Sequence, residues 1–315
     1  MKGVEIPSLL KRDSGDEADT IIMKKLLVTG ASGFLGWNIC TAAKNRWNIC
    51  GTVFSNPIRI DGINILRADL TGFLEVKRIF QEVKPDAVIH TAAAASPDYC
   101  QTHKSETHKI NVDAAVNIAG LCADSRVPFV FTSTDLVFDG LNPPYTEEAP
   151  VNPVSVYGEQ KVLAEKKVLA AYPDTAVCRM SLMFGDPGPA ASSFFKTMLM
   201  AFKEDREIKL FTDEFRTPVS GTAAAHGIFI AMEKTHGVLH LGGSERISRY
   251  DFGRLLMDVL RIRKARIVQS SQKNVMMPAP RVPDVSLDSA KAFGLGFRPL
   301  SLRDELEEIV NQGNI

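Results

Sequence analysis

The stretch Met23–Gly36, MKKLLVTGASGFLG, constrains this chain more than any other. An apolar run, Leu26-Leu27-Val28, ends in Gly30-Ala-Ser32-Gly33-Phe34-Leu35-Gly36, and an apolar, helix-like segment follows. The order is strand, glycine turn, helix. Gly30 permits the tight turn, Gly33 lets backbone approach a pyrophosphate, and Gly36 lets the helix pack close to the strand. Phosphates favour such a helix start, where free N–H groups and the helix dipole attract negative charge. Glycines also make ordinary turns, but the flanking strand and helix are the context a dinucleotide site requires.

The rest of the chain repeats that alternation. Apolar runs at Leu26–Val28, Ile49–Phe54, Ile63–Leu66, Ala87–Ile89, Phe129–Phe131 and Ala176–Cys178 are separated by helical patterns such as Leu74–Val83, Ile110–Cys122 and Glu159–Ala171. This predicts an α/β fold, a Rossmann-like doubly wound parallel sheet with ligands outside the C-terminal strand ends. After about Arg179 the alternation loosens. Helices are expected at Ser192–Phe202, Gly221–Glu233, Ser248–Leu260 and Leu302–Asn311, the last opened by Ser301 with early acidic charge. The division expected is a leader over residues 1–22, poorly ordered, a dinucleotide-binding domain over 23–180, and a smaller substrate-binding region over 181–315. That last region is interleaved with the final sheet strands. Val275–Pro283, rich in Pro and Met, reads as a surface or ligand-facing connection.

Bulk properties narrow the function classes. Formal net charge is zero over 315 residues, which argues against a nucleic-acid partner. No apolar run approaches the ~18–20 residues of a membrane span. Five scattered cysteines without a C-x-x-C pattern point to reduced thiols in a cytoplasmic protein, with no metal site. His236 and His240, four apart on an expected strand, would stand ~13 Å apart, too far for one metal. His90 is expected to be packed, and Glu147-Glu148 to be a solvated loop.

Tyr157-Gly-Glu-Gln-Lys161 opens a helical stretch, which puts the phenol and the ammonium on one face, one turn apart. A free phenol has a pKa of ~10, and a nearby cation is expected to draw it down toward useful acid-base chemistry. The same pair arises by chance in many helices. Its weight comes from Phe131-Thr-Ser133-Thr134-Asp135, a strand running into hydroxyls at the mouth of the expected cleft.

With these motifs in order, the chain resembles the extended short-chain dehydrogenase/reductases, and within them the dTDP-4-dehydrorhamnose reductase group. TGASGFLG, PDAVIHTAAAAS, INVDAAVNIA, STDLVFDG, NPPYTEEAPVNPVSVYGEQK and RVPDVSLDSAKAFGLG carry the resemblance from Lys24 to the C-terminal helix. It implies a catalytic set of Thr134, Tyr157 and Lys161, with Asn111 in a proton relay. It implies a cofactor site that includes Gly30, Ser32, Gly33, Phe34, Leu35, Gly36, Asp69, Leu70, Ala92, Ala93, Ala94, Ser133, Tyr157 and Lys161. Substrate contacts would fall to Ser96, Thr134, Asp135, Arg216 and Arg281. The activity implied is NADPH-dependent reduction of a 4-keto-6-deoxy sugar nucleotide, as in dTDP-rhamnose biosynthesis, with homodimerisation left open. At the second strand end no acidic residue is present to bond a ribose 2′-OH. Ser55, Asn56 and Arg59 could receive a 2′-phosphate instead, so NADP(H) is favoured over NAD(H).

Two departures from the reductase pattern matter. Arg216 replaces a glycine in Asp213-Glu-Phe-Arg216-Thr-Pro, and Arg281-Val-Pro283 alters an Arg-Pro step. With STDLVFDG and NPPYTEE, these departures resemble the regulatory β subunit of methionine adenosyltransferase, a non-catalytic NADP-binding module. An extended-family epimerase or dehydratase is the third reading. Asp135 fits it, and Leu136, where dehydratases carry Glu, does not.

Overall fold

A computed structural model describes residues 10–11 and 22–313. The expectation for the 1–22 leader otherwise lies outside the described residues; Leu10–Lys11 pairs antiparallel with Ile22–Met23. Seven parallel strands form the central sheet: β1 Lys25–Thr29, β2 Asn48–Val53, β3 Asn64–Arg67, β4 Ala87–His90, β5 Phe129–Thr134, β6 Ala176–Met180 and β7 Gly237–Leu241. Their spatial order is β7-β6-β5-β4-β1-β2-β3. The order reverses between β1 and β4, which opens a crevice at their C-terminal ends. The expected strands appear within one or two residues of the sequence reading, except that β5 runs three residues past Phe131 to Thr134, and THGVLHLGG supplies β7.

Strand side chains alternate between faces. Leu26 and Val28 enter one core with Ile39 of α1 (Phe34–Ala43) and Ile228 and Phe229 of α6 (Gly221–Lys234). Leu27 enters the other with Val76, Ile79 and Phe80 of α2 (Phe73–Val83), Ile118 of α3 (Ala114–Ser125) and Val168 of α4 (Val156–Ala171). The sheet is thus buried on both faces, as parallel sheets require. A third core joins Phe195 and Phe202 of α5 (Phe194–Lys203), Phe252 and Leu256 of α7 (Arg249–Val259) and Leu302, Leu306 and Ile309 of α8 (Leu302–Asn311). Short strand pairs brace it: Ile208–Phe211 with Ile267–Ser270, Phe215–Arg216 with Ile247–Ser248, and Met183–Phe184 with Val219–Ser220.

Serines start most of the later helices. Ser155, Ser193, Ser220, Ser248 and Ser301 each accept a backbone N–H from the first turn of α4 to α8, satisfying one otherwise orphaned donor. Glu147, expected in solvent, is half-buried; its Oε1 accepts the His240 N–H of edge strand β7 at 2.9 Å. No described helix is long and apolar enough to cross a membrane.

Glu305 of α8 accepts both the N–H and the hydroxyl of Ser220, each at 3.1 Å, and so ties the last helix to the start of α6. Burial pushes its carboxyl up from 4.5 to about 7, against the pull of those hydrogen bonds. The folded state therefore favours the protonated acid. That stabilisation is complete below the unfolded value and is lost as pH rises through about 7. Glu305→Gln, which resembles the protonated form, should gain about 1–3 kcal/mol on wild type between pH 5 and pH 8. Urea unfolding at both pH values reads the difference, and a pH-independent gap would refute the assignment.

Candidate active site

Gly30 has φ +73°, and a Cβ there would lie 2.7 Å from the Ala92 backbone. The turn after β1 and the end of β4 thus touch main chain to main chain, and only glycine fits. Helix α1 begins directly after. Its N-cap Gly33 offers no side-chain acceptor, and its first turn has no acidic residue. The first-turn donors therefore face outward without a side-chain cap. A cavity of about 620 Å³ opens in front of them. Its lining brings together Gly30, Ser32, Gly33, Ser55, Asn56, Asp69, Leu70, Ala92, Ala93 and Ala94. A bare helix start, a glycine turn and a cavity at the sheet's switch point fit a dinucleotide.

Helix α4 carries the second half of the site. Ser155 caps it, and Tyr157 follows in its first turn. A Cβ on Gly158 would stand 2.3 Å from the Leu136 carbonyl oxygen, so α4 rests on the backbone just beyond β5. That contact lays Tyr157 beside Thr134 at the end of β5. Both residues are buried, and both line a second cavity of about 380 Å³. The two cavities adjoin. Ser192 lines both, and the neighbours Gly33 and Phe34, like Ala94 and Ala95, face one each. The phenol and the glycine turn, 127 positions apart in sequence, meet at this junction.

The electrostatics differ from the expectation for the Tyr-Lys pair. Burial holds the Tyr157 phenol well above its ordinary value of 10, with Cys100 and Asp135 adding to the rise and Thr134 opposing it. Lys161 does not draw it down. Its Nζ donates to the Thr132 carbonyl at 2.6 Å and lies 4.1 Å from the Phe131 ring centroid. Burial lowers the ammonium itself to about 7, against the pull of Glu165. A desolvated lysine that is half-discharged at neutral pH is a weak source of field for its neighbour.

Asn111 sits in a π-helical turn, Lys109–Asp113, ahead of α3. Its Oδ1 accepts the Ala94 N–H at 2.8 Å and its Nδ2 donates to Gln160 Oε1 at 2.9 Å. It pins the loop after β4 to α4, a role consistent with a π-turn at a functional site.

Other expected residues take different positions. Arg59 is not among the residues that line the cofactor cavity, and its side chain is 93% exposed beside Asp61. Ser133 points to the opposite sheet face from Thr134, where its hydroxyl donates to Glu165 at 2.5 Å. Leu35 and Gly36 are buried behind the turn, and Phe34 faces the second cavity. Ser96 caps the helix Pro97–Thr102 and leaves the lining to Ala95 and Pro97. His90 is packed, as expected, with Nδ1 2.7 Å from the Thr29 hydroxyl.

The far wall of the second cavity is charged. Asp135 lies 3.4 Å from the Arg216 guanidinium, and both are buried. Burial raises the Asp135 carboxyl and Arg216 partly offsets that. Glu214 Oε1 bridges Arg249 at 2.9 Å and Arg216 at 3.5 Å. Arg281 reaches the rim from the Pro-rich connection and pairs with Asp98 at 2.8 Å. Glu214, Arg249, Lys109 and Ser192 line the cavities, and sequence reasoning missed them. Arg249 had one local signal, its place at the first turn of a serine-capped helix.

The family model of the RmlD substrate binding domain matches residues 23–315. The chain belongs to that family. Methionine adenosyltransferase 2 subunit beta of Xenopus tropicalis is 26% identical over 294 residues, spanning 89% of this chain and 85% of that protein. The spore coat polysaccharide biosynthesis protein SpsK of Bacillus subtilis is 27% identical over 292 residues, spanning 92% and 98%. A solved dTDP-4-dehydrorhamnose reductase from Clostridium acetobutylicum superposes with a TM-score of 0.80 at 28% identity, over 92% of this chain and 100% of that one. The seven-stranded Rossmann-like sheet is the fold these reductases share, and the resemblance drawn from the motifs is borne out.

Gly30→Ala should destabilise the fold by about 2–4 kcal/mol, because strain at positive φ adds to a backbone clash. Gly33→Ala, whose Cβ would meet only the Gly30 carbonyl at 3.3 Å, should cost less than about 1 kcal/mol. Thermal unfolding of the two variants checks the contrast.

Proposed function

We propose that the protein is an NADPH-dependent reductase of a 4-keto-6-deoxy sugar nucleotide. The observation that carries this reading is the junction of the two cavities, where Tyr157 and Thr134 stand beside a glycine-turn cavity of dinucleotide size. Residues 23–180 would hold the cofactor, and 181–315 would supply the far wall of the substrate cavity. A bound nicotinamide dinucleotide supplies a hydride. Tyr157 donates the proton to the substrate oxygen; burial raises the phenol's pKa and opposes that transfer, so the donation relies on charge that develops on the oxygen during hydride transfer. Thr134 hydrogen-bonds the same oxygen and fixes its direction. Lys161, held by the Thr132 carbonyl, borders the ribose side, and Asn111 holds the Ala94 backbone and relays protons to solvent. Arg216 and Arg281 receive the substrate diphosphate.

NADP(H) is preferred over NAD(H). Ser55 and Asn56 line the cavity at the β2 end, where residues 53–60 carry no carboxylate; the acidic residues of that lining, Asp69 and Glu106, come from other segments. The Arg59–Asp61 pair is too exposed to hold Arg59 away from that phosphate.

A non-catalytic NADP-binding subunit is the second reading. It is favoured by the similarity to methionine adenosyltransferase 2 subunit beta and by arginine at position 216. NADPH oxidation with dTDP-4-keto-6-deoxyhexose separates the two. The reductase reading expects turnover, and Tyr157→Phe should lower kcat by about 10²–10⁴-fold with NADPH affinity unchanged. NADPH bound but never oxidised would overturn it in favour of the subunit. Oxidised cofactor that survives dialysis, with no net consumption, would favour an epimerase or dehydratase.

A further inference from the structure

Beyond the end of β4 two adjacent residues face different cavities, Ala94 the cofactor cavity and Ala95 the substrate cavity. Side chains hold this partition. The Ala94 N–H donates to Asn111 Oδ1 at 2.8 Å, and the Ala94 carbonyl accepts from Asn111 Nδ2 at 3.2 Å and from the Cys100 thiol at 3.1 Å. One amide thus grips both ends of one residue. Its remaining Nδ2 hydrogen goes to Gln160 Oε1 at 2.9 Å. Gln160 is buried in α4, between Tyr157 and Lys161. Its Nε2 donates to the Lys104 carbonyl and to the Thr107 hydroxyl, each at 3.0 Å. Thr107 in turn donates to the His103 carbonyl at 2.9 Å.

This chain of bonds has one direction. The Lys104 carbonyl can only accept, so Gln160 turns Nε2 toward it and Oε1 toward Asn111. Asn111 then turns Nδ2 toward Gln160 and Oδ1 toward the Ala94 N–H. Both amides use both of their donor hydrogens. A buried network of this kind is costly when half-satisfied, so its bonds stand or fall together. The π-helical turn Lys109–Asp113 places Asn111 within reach of Ala94 on one side and Gln160 on the other.

We propose that Gln160 is a positioning residue, which acts through Asn111 to set where the Ala94–Ala95 partition stands between cofactor and substrate. This deepens the reductase reading and rests on its cofactor site. The partition is thereby registered to α4, the helix that carries Tyr157 and Lys161.

The test is titration of the full chain with NADPH, and in parallel with NADH, for wild type, Gln160→Met, Gln160→Glu, Asn111→Ala and the double variant Gln160→Met/Asn111→Ala. Gln160→Met keeps the length of the side chain and loses every bond. Gln160→Glu keeps an acceptor for Asn111 and sets a second acceptor against the Lys104 carbonyl. Each should weaken cofactor binding roughly three- to thirty-fold. The double variant should bind no more weakly than Asn111→Ala, because residues of one network do not add. Wild-type cofactor affinity in both Gln160 variants, whatever their unfolding midpoints, overturns the proposal, and so do losses that add in the double variant. Should neither Gln160 variant fold, hydrogen exchange in the wild-type cofactor complex decides. Protection of the Asn111 and Gln160 side-chain amides together with the Ala94 N–H supports the proposal, and exchange of the Gln160 amide at the solvent rate overturns it. NADPH that binds and is never oxidised with the sugar nucleotide overturns the reductase reading alone, since the affinity comparison still stands. Wild type that binds neither cofactor overturns both.

Discussion

The site depends on the seating of α4 against the end of β5. Gly158 lets the helix backbone touch the Leu136 carbonyl, Lys161 donates to Thr132, and Glu165 accepts from Ser133. Three successive turns of one helix thus hold one strand and its exit. Glu165 is in turn held by Arg179 of β6 at 2.8 Å and 3.1 Å, all of it buried. Removing either partner would leave an uncompensated buried charge, which costs about 3–5 kcal/mol. The Tyr157–Thr134 contact inherits its rigidity from that grip, as a preorganised site must.

Much of this was legible in the sequence because it is periodic or steric. Apolar alternation gave the strands and crossover helices, and the switch point followed from strand-end rules. Gly30 and the Tyr157–Lys161 spacing are local signals whose partners the fold brings in. What was not legible depends on direction and on distant neighbours. Ser133 and Thr134 are adjacent in sequence, yet the strand pleat sends them to opposite faces, one to Glu165 and one to the cavity. The spacing of Lys161 and Tyr157 does not reveal that burial is the largest influence on both groups, raising the phenol and lowering the ammonium. Arg249 was invisible for a different reason. Its functional neighbour Glu214 is 35 positions away, and only the pairing of two short strands sets them side by side.

Two of the serine-capped C-terminal helices supply residues of the second cavity. Helices α5 and α7 each begin at a serine and then present Phe194 or Arg249 to the cavity. Capping fixes where a helix starts, and so fixes which first-turn side chain faces the ligand space. The residues at these helix starts and on the Pro-rich connection line the second cavity without belonging to the parallel sheet.

Glu147 carries a separate consequence. Strand β7 is the open margin of the seven-stranded sheet, and a bare margin is a template for a foreign strand. A carboxylate already seated on the His240 amide removes one of the donors such a strand would need. Sheet extension across that border would have to displace the carboxylate first.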